Sequence, residues 1–116
     1  MLRGNVRIEC SGDEIVLALL SIIQITDPAM LRAGSDGFAV DLTPLEKKPV
    51  LSDDELLLVR LHEVFATGGE AGPYAIELSP AEATRLCTAL EILARARQWP
   101  ADMVRLNENL RSRLQN

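Results

Sequence analysis

The sequence predicts an α+β fold: a small two-layer structure in which a three-stranded, or four-stranded, sheet carries helices on one face and is followed by C-terminal helices. Three observations predict it. A short phrase recurs in which an alternating apolar run leads into Ser or Thr, then Gly or Pro, with Glu three residues after the hydroxyl: VRIECSGDE (6–14), FAVDLTPLE (38–46) and YAIELSPAE (74–82). Between and beyond these phrases lie segments with the period of a helix. The hydrophobic fraction is 47%, enough for a core, yet the chain has only two Phe, one Tyr and one Trp, so that core must be aliphatic.

Within each phrase the apolar residues alternate: Val6, Ile8 and Cys10; Phe38, Val40 and Leu42; Tyr74, Ile76 and Leu78. A period of two marks strands buried on one face. Ser11 with Glu14, Thr43 with Glu46, and Ser79 with Glu82 have capping-box spacing, in which the hydroxyl accepts from a free helix amide and the glutamate accepts from the cap residue's amide. Ser52 with Glu55 forms a fourth box. Because Pro49 lies just upstream, the Thr43 copy should start a single turn and the long helix should begin at Ser52.

Residues 12–26 (GDEIVLALLSIIQIT) are too apolar for a surface helix and should be buried on nearly all sides, although their β-branched content keeps a strand open as an alternative. Asp27, Pro28 and Gly34 frame a capped two-turn helix over 28–33, the preferred reading. The competing reading pairs Ala29–Ala33 with Phe38–Leu42 as a hairpin across GSDG, which would turn the order into a ferredoxin-like βαββαβ plus C-terminal helices. Over 53–67, Leu57, Leu58, Leu61, Val64 and Phe65 share a face ending at Gly68 and Gly69. Over 80–97, Ala83, Leu86, Cys87, Leu90, Leu93 and Ala94 point inward, and Trp99-Pro100 breaks the helix. Met103, Leu106, Leu110 and Leu114 then form a narrow stripe. The chain therefore divides into a core, 1–98, and a helical extension, 99–116, packed on that core or exchanged with a partner, within a single domain.

Composition limits function. The net charge of −5 argues against general nucleic-acid binding. Charge is uneven: residues 1–80 hold thirteen acids and six bases, whereas 81–116 hold four acids and six arginines. Arg95, Arg97, Arg105, Arg111 and Arg113 could grip an acidic surface, or simply pair with Glu91, Asp102 and Glu108. The N-terminal stretch lacks the pattern of a signal peptide and no apolar run spans a membrane, so a cytoplasmic location with no membrane partner is expected. Cys10 and Cys87, the only cysteines, read as reduced thiols on apolar faces, with a disulfide between them as the lesser alternative.

His62 is the only histidine, which removes multi-histidine metal sites and leaves no partners for a nucleophile triad. TGGEAGP (67–73) follows a helix and precedes a strand, the reverse of a phosphate-binding loop, and reads as a turn. One metal arrangement stays open: Glu9, Asp41 and Glu77 each stand two residues before a hydroxyl of the repeated phrase, and parallel strands in register would align them for a hard cation. No cofactor is expected. The leading expectation is a non-enzymatic protein-interaction, adaptor, chaperone-like or regulatory module that forms a homodimer or binds a protein partner. Its interface would be Ile15, Leu19, Ile22 and Ile23 with Met103, Leu106, Leu110 and Leu114, which together exceed what a thin sheet can cover. The alternative is a small-ligand or divalent-cation domain using the acidic sheet face.

Overall fold

The computed structural model describes residues 4–34, 37–68, 73–96 and 98–115 and is α+β. Strand β1 (Val6–Cys10) leads into helix α1 (Gly12–Thr26), followed by a 3-10 turn (Pro28–Met30) and two short strands, β2 (Leu31–Gly34) and β3 (Gly37–Val40). A single-turn α2 (Thr43–Glu46) precedes α3 (Asp53–Thr67), β4 (Tyr74–Leu78), α4 (Pro80–Ala96) and α5 (Ala101–Gln115).

The strands obey the period-of-two reading, but they do not form one sheet. β1 pairs antiparallel with β4, with Val6 opposite Leu78 and Cys10 opposite Tyr74, and both strands alternate buried and exposed residues. β2 and β3 form a separate antiparallel ribbon, with Leu31 opposite Val40 and Gly34 opposite Gly37. The expected three-stranded sheet is thus replaced by two two-stranded ribbons among the described residues. The element order is the βαββαβ of the alternative reading plus two helices, without the pairing between ribbons that would complete a ferredoxin-like sheet.

The hairpin also corrects the helix preferred over 28–33. Asp27 does cap a turn, its carboxylate accepting from the Ala29 amide at 3.0 Å with Pro28 in the first turn. That turn ends at Met30, and Leu31 is already extended. Two turns cannot repay the cost of helix nucleation on local bonds alone, whereas pairing with residues 37–40 satisfies the same backbone groups in a ladder. Residues 35–36 of the connecting loop, 69–72 of the glycine-rich stretch and Arg97 lie outside the described residues, as does the side chain of Phe38.

Three capping boxes form as predicted. The hydroxyls of Ser11, Ser52 and Ser79 accept from the amides of Glu14, Glu55 and Glu82, and each glutamate accepts from its serine amide in return. The Thr43–Glu46 box does not form. Thr43 lies inside α2 and its hydroxyl donates to Asp41, which takes the capping role from two residues upstream. At the end of α3, Gly68 has φ −77° and is not left-handed. Glycine is required there for space instead, because a Cβ would run into the ring of Tyr74, which also lies 6.0 Å from Phe65.

α1 is the centre of the molecule, packed between α3 and α4, with α5 against it at one end. Ile15 and Ile22 are fully buried, and Leu19 and Ile23 are at most 3% exposed. The polar Ser21 is buried as well, satisfied by donating to the Ala18 carbonyl at 2.7 Å. α5 packs on α4, α1 and β1, placing Leu110 and Leu114 in the same core. Trp99 ends α4 by donating its indole N–H to the Leu93 carbonyl at 2.9 Å. Buried Asn107 then ties α5 to α4 through the Leu90 carbonyl at 3.0 Å.

This arrangement overturns the expected interface. Ile15, Leu19, Ile22, Ile23, Leu110 and Leu114 are buried within one chain, and Met103 and Leu106 are half-buried against the same core. The expectation counted only the sheet as shelter for these residues. Three helices supply the rest, because a helix buried all round needs neighbours on several sides.

Candidate functional site

The residues singled out from the sequence are not gathered into one site. Antiparallel pairing places Arg7 opposite Glu77 and Ala75 opposite Glu9, so the strand carboxylates are staggered and Glu77 faces a cation. Asp41 lies beyond the other ribbon, occupied by Thr43 and by the Arg32 guanidinium at 3.0 Å. The parallel alignment behind the cation idea is therefore absent, and among the described residues no three His, Cys, Asp or Glu side chains are grouped for a metal. Cys10 and Cys87 are free thiols whose pKa values burial pushes up. His62 is half-buried on α3. The C-terminal arginines are largely committed: Arg95 pairs with Glu91, Arg111 with Asn107 and Glu91, and Arg113 with Glu14.

What the structure does assemble is a cleft between the first turns of α3 and α4, with a volume of about 610 Å³. Two capping boxes create it, since Ser52 and Ser79 start the two helices on the same side of the molecule. Leu56, 48% exposed, is its large apolar contact, with Leu57 and Ala81 beside it. The helices are laced together by side chains. Arg85 donates to both oxygens of Asp54, at 2.8 and 2.9 Å, and Arg60 bridges Glu82 and the Glu77 carbonyl. The bidentate fork fixes both partners and raises the Arg85 pKa further through the Asp54 hydrogen bond.

The cleft is acidic. Asp53, Asp54 and Glu82 line it; Arg85 pairs with Asp54 and Arg60 with Glu82, which leaves Asp53 as the excess carboxylate. Helix N-termini normally attract anions, but here each capping box occupies two of the amides at its helix start, and the excess charge of Asp53 opposes an anion. Asp53 has no ion-pair partner among the described residues. The combination of an exposed leucine, surplus negative charge and rigid walls suits a side chain or segment that is apolar and positively charged.

Burial pushes the Glu82 carboxyl up, but the hydrogen bonds from Arg60 and the Ser79 amide, with the Arg60 charge, outweigh it and hold the group below its ordinary value. A carboxylate depressed on folding stabilises the native state above the unfolded pKa, about 4.3 for Glu, and loses that contribution as pH falls through the folded value. Thermal melts should therefore show a midpoint that is steady towards neutrality and falls on acidification below about pH 4.3. Arg60→Met should shallow this acid limb by returning Glu82 towards its ordinary value. An acid limb identical in both proteins would contradict the assignment.

Among the described residues no helix is long and apolar enough to cross a membrane. Comparisons with protein-family models, curated proteins and solved structures return no match. The functional reading therefore rests on the cleft itself. Sequence reasoning missed it, although one signal was present: in the run Leu56-Leu57-Leu58 a helix can turn only two of the three towards one face.

Proposed function

We propose that this protein is a non-enzymatic interaction module of adaptor or regulatory type, whose α3/α4 cleft receives a short segment of a protein partner. The segment carries an apolar side chain for Leu56 and a flanking Lys or Arg for Asp53. The observation that supports this reading most is Leu56, nearly half exposed beside the buried Leu57 and Leu58 and set next to Asp53, a lining carboxylate with no ion-pair partner among the described residues. An apolar anchor with a charged rim is the usual anatomy of a small recognition surface. The cleft is open to solvent and mixes apolar with charged side chains, which suits a peptide segment better than an enclosed small molecule. Two free thiols and a core that uses no disulfide favour a reducing, cytoplasmic setting.

The test is fluorescence anisotropy with labelled peptides in which a central leucine is flanked by lysines or, in the control, by glutamates. The lysine peptide should bind saturably, weaken with salt, and lose about tenfold in affinity with Leu56→Ser, the cost of an apolar anchor worth about 1.4 kcal/mol. Asp53→Asn should weaken it less. Equal binding of the two peptides, or no effect of Leu56→Ser, would refute the proposal.

A further inference from the structure

The β1–β4 ribbon has two outer edges. Arg113 donates to the Glu9 carbonyl from the β1 side, while Arg60 donates to the Glu77 carbonyl from the β4 side. In the register of Arg7 with Glu77 and Glu9 with Ala75, these four residues form the pairs whose backbone groups point away from the partner strand. α3 packs against β4 and α5 packs against β1. On the β1 side lies an open groove of about 720 Å³, lined by residues 4–9 and, from elsewhere in the chain, by Arg113. Among the described residues no backbone group bonds to the outward amide or carbonyl of Arg7 or to the amide of Glu9. An unpaired strand edge of this kind is a template for another strand.

The sequence of the edge indicates which strand. Arg7 and Glu9 are the exposed residues of β1, between buried Val6, Ile8 and Cys10. We infer that β1 pairs antiparallel with β1 of a second copy about a two-fold axis at Ile8, giving a continuous sheet in the order β4-β1-β1-β4. In that register Arg7 of each chain faces Glu9 of the other, so both cross-strand pairs are of opposite charge, and the outward backbone groups of Arg7 and Glu9 meet as hydrogen-bonded pairs. Shifting by two residues either way keeps the faces aligned but opposes Arg7 to Arg7 or Glu9 to Glu9, which is unfavourable. Only the register centred on Ile8 is self-complementary, as an isologous contact requires. Arg113, now on the Glu9 carbonyl, swings aside or shares that oxygen, which has two lone pairs. This surface is separate from the α3/α4 cleft and does not depend on its function.

Sedimentation velocity of the full chain and its variants across concentration tests the inference, with circular dichroism melts verifying that each variant is folded. The chain should dimerise as concentration rises. Glu9→Arg and Arg7→Glu should each weaken the dimer about tenfold, because both cross-strand pairs turn repulsive. Mixing the two variants should restore it, since every Arg then faces a Glu across the pair. A strict monomer at millimolar concentration would overturn the inference. So would a dimer indifferent to either reversal, or a mixture no tighter than its components.

Discussion

Replacing Ile22 with Ala lowers the stability of this protein by about 3 kcal/mol. For a chain of 116 residues this should lower the melting temperature by roughly 12 °C. Ile22 is fully buried near the middle of α1, the helix that touches α3 and α4 along its length. Its removed methyl and methylene groups leave a cavity whose walls belong to different helices and can collapse only partly. The cost is the lost transfer energy plus the unfilled space. Urea unfolding followed by circular dichroism measures it, as a reduced midpoint with unchanged slope. Had α1 been an intermolecular face, the same substitution would alter association and leave monomer stability nearly intact.

Leu110→Ala should cost about 3 kcal/mol as well, although it lies in the C-terminal helix. Leu110 is fully buried in the common core, and the helix is tied down at its middle by Asn107 to the Leu90 carbonyl and near its end by Arg113 to Glu14. Val104, on the same helix but 41% exposed, provides the contrast. Its replacement by Ala should stay within about 0.5 kcal/mol. Similar costs for the two substitutions would mean that α5 is a loosely attached extension.

What could be read from the sequence was local. The capping boxes at Ser11, Ser52 and Ser79 are complete within four residues, so they placed the starts of α1, α3 and α4 directly. The strands at 6–10 and 74–78 follow from alternation alone. Over 28–33 the local signals, Asp27-Pro28 and a terminal Gly34, favour a helix, while the ladder that decides the matter depends on residues 37–40. Thr43 has the spacing of a cap, but the cap position is Leu42, whose carbonyl accepts from the Glu46 amide, and the Thr43 hydroxyl donates to the Asp41 carboxylate instead.

The errors at the site have a different cause. Periodicity tells which face of a helix is apolar but not what covers it: α3 and α4 cover α1, and α4, α1 and β1 cover α5. The cleft was hidden because its walls are joined by Arg60–Glu82 and Arg85–Asp54, pairs separated by 22 and 31 residues. No local spacing announces such pairs. The acidic triad failed because its alignment presupposed parallel strands, whereas β1 and β4 are antiparallel.

The central claim is that α1 and α5 belong to one cooperative core inside a single chain. Native-state hydrogen exchange read by mass spectrometry, on the wild type and on Leu110→Ala, tests it most directly. The slowest amides of α1 and α5 should exchange with similar free energies in the wild type, and both should lose about 3 kcal/mol of protection in the variant. Loss of protection confined to residues 101–115, with α1 unchanged, would contradict the account.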